Sequence, residues 1–215
     1  MKKALLWFAV AMALLLALPA TAGAEVAKGT LRLHLESTFF VFYDGEIDPD
    51  GPGDRDFDGV TFGIGAPGRD YSLSRQSVGF GVALIPNLVL GARLTMAFVN
   101  MDDDFAEDTD LFVMGVSPYL EYVFLDGTWR PFVTGVVGTE GWFGEIGNDD
   151  YWLASFVGGA GGGLHVFIVP QFSIDATALF TFAVGGGEWD TGRGDDDIGY
   201  HSIEVGVLLG LSGWL

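Results

Sequence analysis

Asp54-Arg55-Asp56-Phe57-Asp58-Gly59 is the segment of this chain best suited to chemistry. Carboxylates at every second position, followed by a glycine that permits a sharp turn, can gather three hard oxygen ligands round a calcium ion. The upstream Asp48-Pro49-Asp50-Gly51 has the same character. A helical calcium loop would carry a bidentate Glu six residues beyond its glycine, where this chain has Gly65, and no flanking helices are predicted. The plainer reading is a solvated acidic loop. If calcium binds, Asp54, Asp56 and Asp58 are the expected ligands, at the weak affinity of extracellular modules. Calcium is the only cofactor the sequence suggests.

Arg32, Glu36, Arg93, Glu121, Asp175 and Glu204 form a second set, scattered about one to a segment through stretches that are otherwise apolar and rich in Gly and aromatic residues. His34, Arg130 and His165 are placed similarly. Charges that enter an apolar interior are tolerated only when paired. The three arginines and the carboxylates Glu36, Glu121, Asp175 and Glu204 are therefore expected to meet in one ionic network. Such a network can plug and stabilise an interior, or it can gate a small pore for ions or small solutes.

Other motifs carry less. Gly63-Ile64-Gly65-Ala66-Pro67-Gly68 satisfies the bare dinucleotide-site string, but Pro67 interrupts it and no helix follows. The run Gly158 to Gly163 lacks the Lys-Ser/Thr of a phosphate loop and suits close packing or a bend. Arg193-Gly194-Asp195 spells a tripeptide that some host adhesion receptors bind, with Asp196 and Asp197 beside it. His201, Ser202 and Glu204 are near one another, yet adjacent strand residues point to opposite faces, so spacing alone makes no triad.

The elements that hold these residues are legible from charge and periodicity. Of 29 acidic residues, 23 fall in four blocks, at 44–70, 102–110, 140–150 and 188–197. Between blocks lie apolar stretches, each broken near its middle by a short turn: Pro86-Asn87, Leu125 to Thr128, and Pro170-Gln171. Eight strands are predicted, at 31–43, 71–85, 88–101, 110–124, 129–143, 151–169, 172–187 and 198–215. Within them the period is two: Phe172, Ile174, Phe180, Phe182 and Val184 oppose Ser173, Asp175, Thr177 and Thr181. A chain that reverses at every block and every turn collects all four blocks at one end. A soluble barrel would need a charged outer face, and this chain has too few charges for one. The large apolar parity therefore faces lipid and the small parity fills the centre. Hydrocarbon offers the backbone no partners, so the sheet must close. Phe42, Tyr43, Phe98, Trp129, Trp142, Phe143, Tyr151, Trp152, Trp189, Tyr200 and Trp214 lie near strand ends, as an interfacial aromatic girdle requires.

Lys2 and Lys3, the apolar run Ala4 to Leu18, Pro19, and the small residues ending at Ala22-Gly23-Ala24 have the form of a cleaved signal peptide over 1–24. Residues 25–215 then make one domain with no linker. With Lys2 and Lys3 removed, eight basic residues face 29 acidic ones, a net charge of −21, which argues against nucleic acid as a partner. There is no cysteine, so closure of the sheet has to do what disulfides do in other exported proteins.

These features together resemble the small OmpA-type and OmpX-type barrels of Gram-negative bacteria. The likeness rests on the signal peptide, eight alternating segments, three short turns, four polar loops, and a last strand in which Val205, Val207, Leu209 and Leu211 alternate toward Trp214 and Leu215. The fold class it implies is an all-β, eight-stranded antiparallel up-and-down transmembrane β-barrel in the outer membrane, with periplasmic termini and acidic loops outside. The resemblance also implies insertion by the barrel-assembly machinery, which reads the last strand, and a lumen filled by an ionic network. The expected role is structural or surface-interacting and non-enzymatic. Divalent cations would bridge the acidic loops to lipopolysaccharide phosphates. Two alternatives stay open: a small gated pore, and a lipid A-modifying enzyme, since some barrels of this size act on lipid A acyl chains. The chain has no counterpart of the periplasmic domain of full-length OmpA-type proteins, so cell-wall anchoring is not implied.

Overall fold

A computed structural model describes residues 26–49, 55–62, 76–101, 109–146, 149–190 and 195–215. The expected signal peptide, Asp54, the Gly63–Gly68 string, and Arg193 and Gly194 lie outside the described residues.

Among the described residues nine strands follow one another: β1 Leu31–Pro49, β2 Arg55–Phe62, β3 Gln76–Ile85, β4 Leu88–Met101, β5 Thr109–Val123, β6 Trp129–Ile146, β7 Asp149–Val169, β8 Phe172–Asp190 and β9 Asp195–Trp214. Every pairing is antiparallel, and β9 pairs back onto β1, from Arg32↔Trp214 to Pro49↔Ile198. Eight strands, all but β2, close the ring. The tight connections are at Pro86-Asn87, Phe124–Thr128 and Pro170-Gln171. Asn87 takes a positive φ of 65°, a conformation its short polar side chain tolerates.

The ninth strand corrects the sequence expectation of a loop over 55–62. β1 pairs with β3 only from Leu31 to Ser37; from Phe40 to Ile47 the same edge is taken by β2. A register shift between Thr38 and Phe40 in the β1–β9 ladder marks the changeover. The acidic composition of 55–62 hid its alternation, while Asp50, Gly51, Pro52 and Gly53 supply the composition of a hairpin turn.

The acidic blocks at 140–150 and 188–197 are likewise not loops in the main. Apart from 147–148 and 191–194, they are the ends of strands. A tilted strand needs only about 9–11 residues to span a bilayer. At 18 to 21 residues, β6 to β9 overshoot it. The ladder continues past the membrane and carries its carboxylates with it.

Except at Phe172, which is buried beside the β7–β8 register shift and does not share the lipid face of Ile174 and Phe180, the wall faces as the periodicity predicts. Leu33 and Phe80 are 55% and 59% exposed, whereas Arg32 and His34, on the other parity of β1, are 1% and 2% exposed. Phe42, Trp129, Phe143 and Trp152 point outward as girdle residues. At the usual rise and tilt, β6 climbs roughly 35 Å from Trp129 to Phe143, enough to cross a bilayer. Tyr151, Tyr200 and Trp214 are buried inward and not in the girdle. Trp142 is half-buried and donates its indole N–H to Glu140 at 2.8 Å.

The centre is therefore not filled by compact side chains alone. Two apolar clusters cap it. At the end with the tight turns, Val26, Val89, Tyr119, Val123, Phe132, Phe167 and Trp214 pack together. Toward the acidic end, Ala97, Val113, Tyr151, Leu153, Ile198 and Tyr200 do the same. Space for the large rings comes from facing glycines. A Cβ on Gly79 would strike the His34 ring, and one on Gly91 would lie 2.5 Å from the Tyr119 ring. Polar-parity glycines are thus the seats of inward aromatic side chains.

Candidate functional site in the lumen and on the outer rim

Arg32, on β1 just inside the tight-turn end, is the hub of a buried network. Its Nη1 donates to Glu121 Oε1 at 2.7 Å, its Nη2 to Asp175 Oδ2 at 3.1 Å and its Nε to Ser212 Oγ at 3.0 Å. The guanidinium also sits 5.1 Å over the Trp214 ring. His165 bridges the same two carboxylates, with Nδ1 2.7 Å from Asp175 Oδ1 and Nε2 3.2 Å from Glu121 Oε1. Because ionised carboxylates only accept, each ring nitrogen must donate, and two cations balance two anions. Ser173 donates to Asp175 at 2.7 Å, Ser212 donates to Asp175 as well, and Trp214 Nε1 donates to Ser173 at 3.0 Å. Every charged member is at least 99% buried, so the network stands or falls on this mutual satisfaction.

The other expected members lie at different levels. Arg93 Nε is 3.5 Å from Glu36 Oε2, with the guanidinium 5.0 Å from the Tyr119 ring centre. Glu204 lines a chamber above this pair, together with Arg93, Glu140 and Thr181. Arg130 belongs to the closed mouth, not to the carboxylate network: its Nε donates to the Gly127 carbonyl at 2.9 Å and its guanidinium lies 4.2 Å over Phe167. His165 and Glu140 are lumen residues the charge pattern did not place in the network. A signal for His165 existed, because it and Asp175 flank the Pro170-Gln171 turn within five residues on either side, and the two are directly paired across β7 and β8.

His201 is exposed on the outer wall, while Ser202 is buried inside, accepting from the Tyr200 hydroxyl at 2.8 Å. Glu204, on the lumen side, lines the chamber. The wall separates His201 from Ser202 and Glu204, so the three assemble no catalytic unit. Asp56 and Asp58 fall on β2, in backbone register with Glu46 and Asp44. Among the described residues, no group of three or more His, Asp or Glu converges as a metal site.

On the outer rim, the register lines up acidic positions strand by strand: Glu145↔Asp150, Asp150↔Asp190 and Asp190↔Asp195. One step nearer the bilayer runs Phe143↔Trp152↔Glu188↔Asp197. Glu145, Asp150, Glu188, Asp190 and Asp197 are exposed, and Trp152 Nε1 donates to Glu188 at 3.1 Å. An open pocket lies among Glu145, Asp150, Trp152, Glu188 and Asp190. Carboxylates are thus stacked directly above an outward aromatic pair.

A closed ring of eight antiparallel strands, apolar outside and charged within, defines the class: a transmembrane β-barrel with the fold of bacterial outer-membrane proteins. The chain is similar to the crystal structure of the outer membrane protein OprG from Pseudomonas aeruginosa, with a TM-score of 0.50 at 8% identity over 87% of this chain and 99% of that one. It is also similar to Neisserial surface protein A, with a TM-score of 0.49 at 13% identity over 86% and 99% of the two chains, and to Ail of Yersinia pestis, at 0.40 and 10% over 84% and 99%. At such identities the likeness to OprG is one of fold. No protein-family model matches the chain, and no curated protein matches it.

Proposed function

We propose that this is a non-catalytic outer-membrane barrel whose acidic outer wall takes up divalent cations and, through them, the phosphates of lipopolysaccharide. The observation that carries the reading is the row Glu145, Asp150, Asp190 and Asp195 on four adjacent strands, above the outward Phe143 and Trp152. Neighbouring strands are about 4.8 Å apart, and like charges directly opposed destabilise a sheet unless something neutralises them. A row at the level where lipid phosphates begin meets anions on anions, and a shared cation relieves both. Acidic positions paired on the β1–β2 ladder, Asp44 with Asp58 and Glu46 with Asp56, extend the same chemistry to Asp56 and Asp58, two of the three calcium ligands expected from sequence. Calorimetric titration of the refolded barrel with calcium and with magnesium is expected to show millimolar-range uptake. The Glu145→Gln/Asp150→Asn/Asp190→Asn variant should lose most of it. Absence of uptake by the unsubstituted barrel would remove the reading.

The polar chamber in the lumen favours a second reading, a small gated pore. Apolar clusters at both ends and the Arg32 network between them oppose steady conduction. In planar bilayers the unsubstituted barrel is therefore expected to be electrically silent. Conductance steps that change in size or vanish in Arg93→Ala would establish a pore instead.

A further inference from the structure

The five methionines of the chain are not spread evenly. Met1 and Met12 fall in the expected signal peptide, and the other three, Met96, Met101 and Met114, all lie on β4 and β5. Met96 and Met114 are directly opposed in the β4–β5 ladder, and they are 50% and 49% exposed on the outer wall. Opposed side chains on one face of an antiparallel pair stand about 4.5–5.5 Å apart at Cβ, so the two thioethers share one patch of surface. The patch lies one step of the same parity below the Phe98↔Phe112 pair, beyond which the acidic block at 102–110 begins. It therefore belongs to the outer leaflet, close to water.

One flank of the patch is polar. Gln76, on β3, is directly opposite Met96 and exposed. An amide facing acyl chains is costly, and its two N–H donors suit an acceptor on the neighbouring strand. A thioether accepts only weakly, whereas a sulfoxide is polar and accepts well. Among the described residues Gln76↔Met96 is also the outermost pair of the β3–β4 ladder, and beyond it Ala97 to Met101 are held by β5 alone. We propose that Met96 and Met114 are a site of reversible oxidation on the lipid-facing wall, each taking one oxygen atom from a small neutral oxidant of the hypochlorous acid type, and that the Gln76 amide holds the sulfoxide formed on Met96. In each transfer a sulfur–oxygen bond forms and the oxygen–chlorine bond breaks. Sulfur is oxidised by two electrons, chlorine leaves as chloride, and the hydroxyl proton is released to water. Two sulfoxides then stand in hydrocarbon where β4 loses its β3 partner, which weakens the wall at that fork, and the Gln76 bond compensates for one of them.

The test is treatment of the refolded barrel in phospholipid vesicles with hypochlorous acid, mapped by peptide mass spectrometry, with Met101→Leu as the background so that only the opposed pair can respond. Met96 and Met114 should each gain one oxygen, and the oxidised barrel should unfold in urea about tenfold faster, the scale of placing polar groups in an apolar setting. Reduction by the two methionine sulfoxide reductases, followed by refolding, should restore the original rate. Met96→Leu/Met114→Leu keeps the apolar volume and should hold its unfolding rate under the same oxidant, which separates this site from damage to tryptophan or tyrosine. Gln76→Leu should leave the reduced barrel unfolding no faster than before, yet make the oxidised one unfold roughly threefold to tenfold faster again, the loss of one hydrogen bond. No oxygen on Met96 and Met114 at doses that fully oxidise free methionine overturns the proposal. So does an unfolding rate that oxidation leaves unchanged, or one that it raises equally in Met96→Leu/Met114→Leu. An equal effect of oxidation with and without Gln76 removes the amide from the site.

Discussion

Arg32→Met is expected to destabilise the barrel by about 3–5 kcal/mol, the cost of removing one partner from a buried ion network. The loss is large because the side chain serves four partners at once. Without it, Glu121 and Asp175 keep only His165 as a counter-charge, and Ser212 loses its donor. Methionine retains most of the volume, so the change reports charge and hydrogen bonding more than packing. Urea unfolding in lipid bilayers, followed by tryptophan fluorescence and by heat-modifiable migration, measures it. Replacing the whole set, Arg32→Met with Glu121→Gln, Asp175→Asn and His165→Gln, should recover part of the loss, because no lone buried charge remains. A loss below about 1 kcal/mol for Arg32→Met would show that solvent reaches the network and screens it.

The second large effect is steric. The three atoms nearest a Cβ at Gly79 all belong to the His34 ring, which is held edge-on to Tyr119 with centroids 5.4 Å apart. Gly79→Val therefore overfills a packed lumen and is expected to cost about 1–3 kcal/mol. The double variant Gly79→Val/His34→Ala should regain most of that, since removal of the ring vacates the space the new methyl groups need. Equal destabilisation in the single and double variants would place the strain in the backbone and not in the seat of His34. The two predictions are nearly independent, because the His34 ring makes no hydrogen bond to the Arg32 network.

The ring and its orientation were legible in the sequence because two signals reinforce each other. Period-two alternation in segments such as 172–184 assigns the two faces, and the alternation of acidic blocks with bare turns assigns the two ends. Arg32, Glu121 and Asp175 could be expected to meet, since isolated charges of opposite sign on the inward parity have few other partners. Two things were hidden. Strand β2 and the strand ends at Glu145, Asp150 and Asp190 have the composition of loops, and the alternation of Asp with Phe and Val in β2 is short and charged. The inward Tyr119, Phe132, Phe167 and Trp214 break a rule that sends large residues to lipid. Tyr119 and Phe132 fit because Gly81, Gly91 and Gly163 make room, and which glycine faces which ring depends on the register and tilt of the closed sheet.

The Arg32 network draws on both extremities of the chain: Arg32 lies in the first strand, while Ser212 and the ring of Trp214 are contributed by the last. A nascent polypeptide that has not yet delivered its final residues cannot assemble this clasp, however much of the sheet has already formed. Neutralisation of Asp175 and Glu121 therefore coincides with joining of the seam, and a truncated product is left holding unrequited charge where a complete one is latched.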